Sequence, residues 1–574
     1  MQRKLKSLRR FYPLLPALFF FVVYLLPLGF RTMIRPDEFR YAEIPREMLE
    51  SGAWMRPRLD GVKYFEKPTL GYQLIALSMK VFGENRFAVR LPSALGTLIA
   101  AAMVWLILRK ESRERFWPGA AAGMYLASAL VLGTGTFAVL DAPFAGAVTV
   151  SIGAVYLACR SPRRTECALY LAAAGAAAAV AFMLKGFLAF ILPGMVAAAF
   201  LIWSREWKKL FAFPWLPLAI VLLIAIPWAL AQHRADPDFW RYFFVEEHWK
   251  RFTSGTYDRK AQPFWYFLPV LLGGVMPAGL LWFAGAVGCT KEWFKRPFVR
   301  FMICWFALPF LLFSASKCKL GTYILPCFPP LALLLASAFR NARRCGREKF
   351  RARCKLLYTI LGVALTAAAI AGAAALAALP FLPKKLAAKA PGPLTDWINA
   401  WSILAVVALL AFGVILYRLR RNANGAALWA FLTGLAPAIC FGMLAIPETG
   451  LGDTAPEAGL RECLKHFPEH EKCAIAVERT FIASVCWVTK RSDIVVASLS
   501  DKREERLGEL EYGIVNNPEE YADKHVSKQD FPAWLKGKKV LFVTFGRPDK
   551  SPLSKEVPQP VEKVTRGGIT VMRF

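Results

Sequence analysis

The chain has 574 residues, 56% of them hydrophobic and only 20% charged, with a mean hydropathy of +0.38. Those values exclude an ordinary soluble globule and fit a polytopic membrane protein. Lys plus Arg number 73 against 41 Asp plus Glu, a formal net charge of +32, but the cations gather in short connections between apolar blocks, so they indicate a membrane surface and not nucleic acid.

The apolar blocks are each about 18 or more residues long, enough to cross a ~30 Å hydrocarbon core as helices. Taken in order, they predict about thirteen spans, near residues 12–30, 91–108, 117–137, 142–159, 167–184, 186–203, 210–231, 264–287, 299–315, 322–338, 356–380, 399–417 and 425–446. Basic clusters mark every second connection, from Arg3 to Arg10 through Arg109 to Arg115 and Arg340 to Lys355 to Arg418 to Arg421. The positive-inside rule therefore places the N-terminus in the cytoplasm, and an odd span count places the C-terminus outside. The first block has basic flanks but no small-residue cleavage pattern after it, so it reads as a retained span. The twelve cysteines form no CxxC pair and support neither a zinc knuckle nor a disulfide framework.

Three outer segments exceed simple turns: Arg31 to Arg90, His233 to Gln262, and the tail from Pro447. Within the first, Arg40 to Ala53 and Leu70 to Phe82 have amphipathic helical spacing suited to the membrane surface. The tail gains charge and carries short β-branched runs at Cys473 to Val477, Asp493 to Ala497 and Lys539 to Phe545, with a helix-like stretch from Phe481 to Thr489. It reads as a small α/β domain. The expected division is a membrane domain over 1–446, with outer loops 31–90 and 233–262, and an α/β domain over 447–574.

Chemistry-bearing residues concentrate on the outer face. Arg35-Pro36-Asp37-Glu38-Phe39-Arg40-Tyr41 follows the first span, and Lys63-Tyr64-Phe65-Glu66-Lys67-Pro68 comes about 25 residues later. Juxtamembrane cations often only anchor a helix end, which explains Arg35 and Lys63 well but Glu66 and Lys67 poorly. Asp141 lies at a span edge with no counter-charge nearby in sequence. It is either a helix cap ahead of Pro143 or an ionisable group facing a polar cavity. Glu246-Glu247-His248, Arg251 and Arg259 lie in the second loop, and Ser316-Lys317-Cys318-Lys319 with Thr322-Tyr323 lies at a later boundary. Together, Arg40, Lys67, Arg251, Arg259, Lys317 and Lys319 make a basic basin at headgroup depth, which suits a lipid-phosphate leaving group. Glu66 and His248 could hold a divalent ion, though two ligands alone make a weak site.

In order along the chain, Asp37-Glu38-x-Arg40-Tyr41-Ala42-Glu43, Tyr64-Phe65-Glu66-Lys67-Pro68, Leu140-Asp141, Glu247-His248, Gln262-Pro263-x-Trp265-Tyr266 and Ser316-Lys317-x-Lys319-x-x-Thr322-Tyr323 resemble the bacterial aminoarabinose transferases that decorate lipid A. These are C-type membrane glycosyltransferases related to the protein O-mannosyltransferases. The resemblance covers most of the membrane domain and implies a GT-C fold with a periplasmic α/β domain, in a multi-pass protein of the bacterial inner membrane. It further implies inverting transfer of 4-amino-4-deoxy-L-arabinose from undecaprenyl phosphate to a lipid A phosphate, with resistance to polymyxin and cationic antimicrobial peptides. Asp37 would then be the catalytic carboxylate, with Asp141 and Lys67 also in the catalytic set. Arg40, Lys67 and Tyr323 would contact the polyprenyl phosphate, with Tyr41 and Tyr64 completing the donor-binding set, and Glu66 and His248 would form a metal pair for zinc or a similar ion. Nothing in the residues reads the sugar's amino group. A polyprenyl-phosphate hexosyl transferase acting on protein or glycan is therefore the alternative enzyme. A lipid or solute transporter is disfavoured because the ionisable residues gather at one face instead of the midplane.

Overall fold

The computed structural model describes residues 15–64, 66–241, 243–245, 262–382, 394–421, 428, 431–432, 434–498, 510, 513–514, 517, 519–545 and 559–574. Among them, eight helices are long and apolar enough to cross a membrane. That is fewer than thirteen because several predicted spans are broken or short. The first runs as a short α-helix, α1 (Leu15–Phe20), then π and 3₁₀ turns to Gly29. A helix follows, α2 (Asp37–Ser51), then a two-stranded hairpin of β1 (Arg58–Leu59) and β2 (Val62–Lys63), and then α3 (Leu70–Phe82). The amphipathic spacing over 40–53 and 70–82 is thus helical as expected.

The first long span is α4 (Arg86–Glu111). The predicted 117–137 span divides into α5 (Phe116–Leu126) and α6 (Ala129–Thr136), where Ser128 is extended and Ala129 N–H donates to Met276 O at 2.7 Å. Then come α7 (Asp141–Arg160), α8 (Arg164–Lys185), α9 (Leu188–Trp203) and α10 (Trp215–Ala235). The 264–287 span is also discontinuous: α11 (Phe267–Gly274) ends before Pro277, which has no N–H to donate, and 3₁₀ turns continue to Gly288. The remaining long elements are α12 (Pro297–Ala315), α13 (Phe328–Cys345), entered through a 3₁₀ segment from Gly321, α14 (Arg347–Ala378) and α15 (Ala400–Leu419); α16 (Ala436–Ala445) is the described part of the last predicted span.

Close approach of small residues sets the spacing of α4 and α7. A Cβ on Gly96 of α4 would lie 2.5 Å from Pro143 Cα of α7, and one on Gly146 would lie 2.4 Å from Gly96 O. Backbones this near carry the N-terminus of α7, and with it Asp141, against α4.

The C-terminal domain contains α17 (Pro456–Leu464), β3 (Ala474–Val477), α18 (Ile482–Thr489), β4 (Val495–Ser498), β5 (His525–Ser527), α19 (Phe531–Leu535), β6 (Val540–Phe545), β7 (Glu562–Arg566) and β8 (Ile569–Arg573). The strand order is β5-β4-β3-β6-β8-β7. The pairs β5–β4, β4–β3 and β3–β6 are parallel, while β8 runs antiparallel to both β6 and β7. Apolar runs such as Val540 to Phe545 suit a sheet covered on both faces. The core of this domain is continuous with α2 and α3: Phe39, Tyr72 and Met79 pack in one cluster with Leu460, Phe481, Trp487 and Val543.

Candidate active site

The site begins where α2 starts. Asp37 and Glu38 occupy its first turn, where the helix dipole favours negative charge. Glu38 is fully buried and takes both guanidinium contacts of Arg90 on α4, at 2.7 and 2.9 Å, with Arg31 at 2.9 Å. It also accepts from the N–H groups of Ile34 at 2.9 Å and Ala138 at 3.1 Å. Burial alone would raise its pKa, yet Arg90 and then Arg31 outweigh it and hold the carboxyl below its usual range. Glu38 therefore fastens three segments together: α2, α4 and the 136–140 turn that precedes Asp141.

Asp37 points the other way and is about half exposed. It pairs with buried Arg40, whose Nη1 lies 3.6 Å from Glu66 Oε2. The chain from the hairpin to α3 is held in several places. Lys63 pairs with Asp236 at 3.1 Å, and Trp228 of α10 donates to Thr69 Oγ1 at 3.1 Å. Lys67 Nζ donates to Glu66 O at 3.0 Å.

Glu66 and Lys67 line a cavity of about 520 Å³ together with Asp141 and Lys185. Asp141 accepts a hydrogen bond from Lys185, at the C-terminal end of α8, and the Lys185 ammonium stands 5.0 Å from the Tyr323 ring centroid. Sequence proximity offered Asp141 no partner; the fold supplies one 44 residues away. Lys185 could have been suspected only as a cation at the end of an apolar block. Ser316, Cys318 and Thr322 also border the cavity, and the rest of its wall is apolar, from Phe144, Phe187, Leu188 and Ile191 to Phe243, Phe244 and Phe313. A polar group of several charges opening onto aromatic and aliphatic walls can hold an anionic head and a hydrocarbon chain at once.

The expected residues are not all brought there. Tyr41 and Tyr64 are buried against Tyr72, with ring centroids 5.9 and 6.1 Å from it, and do not border the cavity. Burial raises the Tyr41 phenol further above its ordinary pKa. Lys319 is also buried, turned to the carbonyls of Gln262, at 3.1 Å, and of Ser316, whereas Lys317 is exposed. His248, Arg251 and Arg259 lie outside the described residues. Among the described residues no group of three or more His, Cys, Asp or Glu side chains could hold a metal, and Glu66 faces a guanidinium.

Comparison with solved structures defines the class. The fold is that of a GT-C membrane glycosyltransferase: it superposes on ArnT from Cupriavidus metallidurans, crystallised bound to undecaprenyl phosphate, with a TM-score of 0.77 at 22% identity, covering 98% of this chain and 97% of that one. Residues 11–243 match the family described as dolichyl-phosphate-mannose-protein mannosyltransferase, and residues 454–573 match the arabinosyl transferase ArnT C-terminal domain. The undecaprenyl phosphate-α-4-amino-4-deoxy-L-arabinose arabinosyl transferase 2 of Proteus mirabilis is 34% identical, over 98% of this chain and 97% of its own. The corresponding transferase of Shewanella sediminis is 32% identical over 97% of both. The chain belongs to this family of aminoarabinose transferases.

Proposed function

We propose that the protein transfers 4-amino-4-deoxy-L-arabinose from undecaprenyl phosphate to a lipid A phosphate, at the periplasmic face of the bacterial inner membrane, and so confers resistance to polymyxin and cationic antimicrobial peptides. The observation that carries this reading is the cavity in which Glu66, Lys67, Asp141 and Lys185 meet an apolar wall. Its polar end matches a phosphate-linked sugar and its aromatic and aliphatic wall a polyprenyl chain.

In the reaction the bond from the sugar's anomeric carbon to the donor phosphate breaks, and polyprenyl phosphate leaves as an anion. Lys67 and Arg40 stabilise that charge, so no strong general acid is needed. A lipid A phosphate oxygen forms the new bond from the opposite face. Because that acceptor is already ionised, Asp37 orients it and offsets positive charge growing on the ring, instead of removing a proton. Arg40, placed between Asp37 and Glu66, links the acceptor side to the donor cavity. Lys185 holds Asp141 at the cavity wall.

A zinc or similar divalent ion held by Glu66 with His248 is part of the proposal. Such an ion would supply Lewis-acid chemistry. Two protein ligands hold such an ion only weakly, so zinc titrated into purified protein should bind reversibly in calorimetry, and Glu66→Ala should abolish that binding.

Mass spectrometry of lipid A from cells with and without the gene tests the main reading. The expected result is an aminopentose mass increment together with polymyxin resistance. A hexose increment on protein or glycan, with lipid A unchanged, would sink it. A phosphatase fused after Phe574 should be active if the C-terminal domain is periplasmic.

A further inference from the structure

We infer that the C-terminal domain positions the donor site, gripping α2 beside Asp37 and the hairpin that leads into Glu66 and Lys67. The inference rests on the reading of the cavity as a polyprenyl-phosphate site.

The first grip is at Arg35, two residues before Asp37. Its guanidinium donates to Asp453 O at 2.5 Å and to Asp453 Oδ2 at 2.6 Å, and lies 4.8 Å from the Phe481 ring centroid. Its own N–H donates to Thr454 O at 2.9 Å. The segment entering α2 is thus tied to the first residues of the C-terminal domain by backbone and side chain together.

The second grip is at the hairpin tip. Asp60 and Gly61 form the turn with left-handed backbone, φ 55° and 73°. Glu47 of α2 accepts the N–H of both, at 2.6 and 2.9 Å. The Asp60 side chain, fully buried, turns the opposite way into the C-terminal domain. Its Oδ1 accepts from Ile494 N–H at 3.0 Å and lies 3.6 Å from Lys524 Nζ and 3.7 Å from Cys486 Sγ. Lys524 also donates to Ser492 O at 2.5 Å, and Ser492 O would lie 3.4 Å from a Cβ on Gly61. A side chain at Gly513 would strike Val62 at 2.5 Å and Lys63 O at 2.9 Å, so the hairpin is seated on this domain along its length. Three residues beyond β2 stands Glu66, then Lys67.

A buried ionisable carboxyl group is an expensive way to join two surfaces that already share an apolar core. What it adds is a fixed register, and register is what a site tolerant of only about 1 Å error requires. Asp60 and Arg35 are accordingly positioning residues: neither borders the cavity, and each acts through the segment it holds.

The test uses the full-length protein in detergent micelles, with farnesyl phosphate as the probe of the cavity and aminoarabinose transfer as the second readout. Lys524→Met and Asp60→Asn should weaken farnesyl phosphate binding by about fivefold or more, and Asp453→Asn should lower kcat by a similar factor at saturating donor. Glu84→Gln, which removes an exposed ion pair with Lys490 across the same two domains but touches neither Arg35 nor Asp60, should change neither. Each variant is measured well below its own unfolding midpoint. If the variants bind and turn over like wild type and only their midpoints fall, or if Glu84→Gln is as impaired as they are, the domain is merely stabilising and the inference is overturned. Failure of the wild type itself to bind farnesyl phosphate would overturn the cavity assignment, and this inference with it.

Discussion

Asp37 and Glu38 are adjacent in sequence and do opposite work. Glu38 turns inward to two arginines, while Asp37 stays half exposed beside Arg40. For Asp37, the acceptor decides what is asked of it. With a phosphate acceptor it is the carboxylate's charge that is used and no proton is transferred, so Asp37→Asn should cut kcat by about 10² or more while the wild-type rate is nearly the same in H2O and D2O. Transfer assays in the two solvents check this: a clear normal solvent isotope effect on the chemical step would make Asp37 a true base and point to a hydroxyl acceptor. Lys185 carries the second prediction. Lys185→Met leaves Asp141 charged at an apolar wall, at a cost on the order of 1–3 kcal/mol, and should raise the donor KM by about tenfold. Restoring binding with Lys185→Arg would locate the effect in the charge.

At the scale of elements, the junction of α2, α4 and the turn before α7 depends on one buried ion cluster. Arg90 and Glu38 are both fully buried. Removing one partner strands the other, so Arg90→Met alone or Glu38→Gln alone should each cost about 3–5 kcal/mol. The double variant should be markedly less damaged than the sum, as thermal unfolding of all four proteins in micelles can read. Additive losses would mean that the two residues act separately. The same scale explains why only eight of the predicted spans are single long helices among the described residues. Apolar content over 117–137 and 264–287 is continuous, but the backbone is interrupted near Ser128 and Pro277, which meet across the two broken helices. Hydropathy measures only composition, and an interruption paired inside the protein leaves it unchanged.

For the whole molecule, the contact between membrane and C-terminal domains should be sensitive to pH. Burial pushes Glu43 up to about 8 against the pull of Arg46, and Asp60 up to about 8 against Lys524; Glu47 is also raised by burial. The folded protein therefore keeps protons that the unfolded chain releases near pH 4. Stability falls as pH rises from about 4 to 8, at up to about 1.4 kcal/mol per pH unit for Glu43 and for Asp60, and levels off above. Unfolding midpoints across that range should decline, and Glu43→Gln with Asp60→Asn should flatten the curve. A midpoint that rises over the same interval would contradict the assignment.

Much of this architecture is written locally. Long apolar blocks, basic connections and β-branched runs near 474–477, 495–497 and 540–545 fix spans and strands because lipid and sheet select side chains residue by residue. Span parity read from the basic connections predicts Asp37, Arg40, Glu66, Lys67, Asp141 and Tyr323 at one face, and in the structure Glu66, Lys67, Asp141 and Tyr323 line one cavity. What sequence alone could not supply were pairings between distant residues: Lys185 for Asp141, Arg90 for Glu38, Asp453 for Arg35 and Lys524 for Asp60. Nor could it tell that Tyr41 and Tyr64 turn into the core while Asp37 turns out. Residue type determines that a group must be solvated, paired or buried. Which of these happens, and with what partner, depends on helices brought within a few ångströms by contacts such as Gly96 on Pro143, and only the tertiary structure decides it.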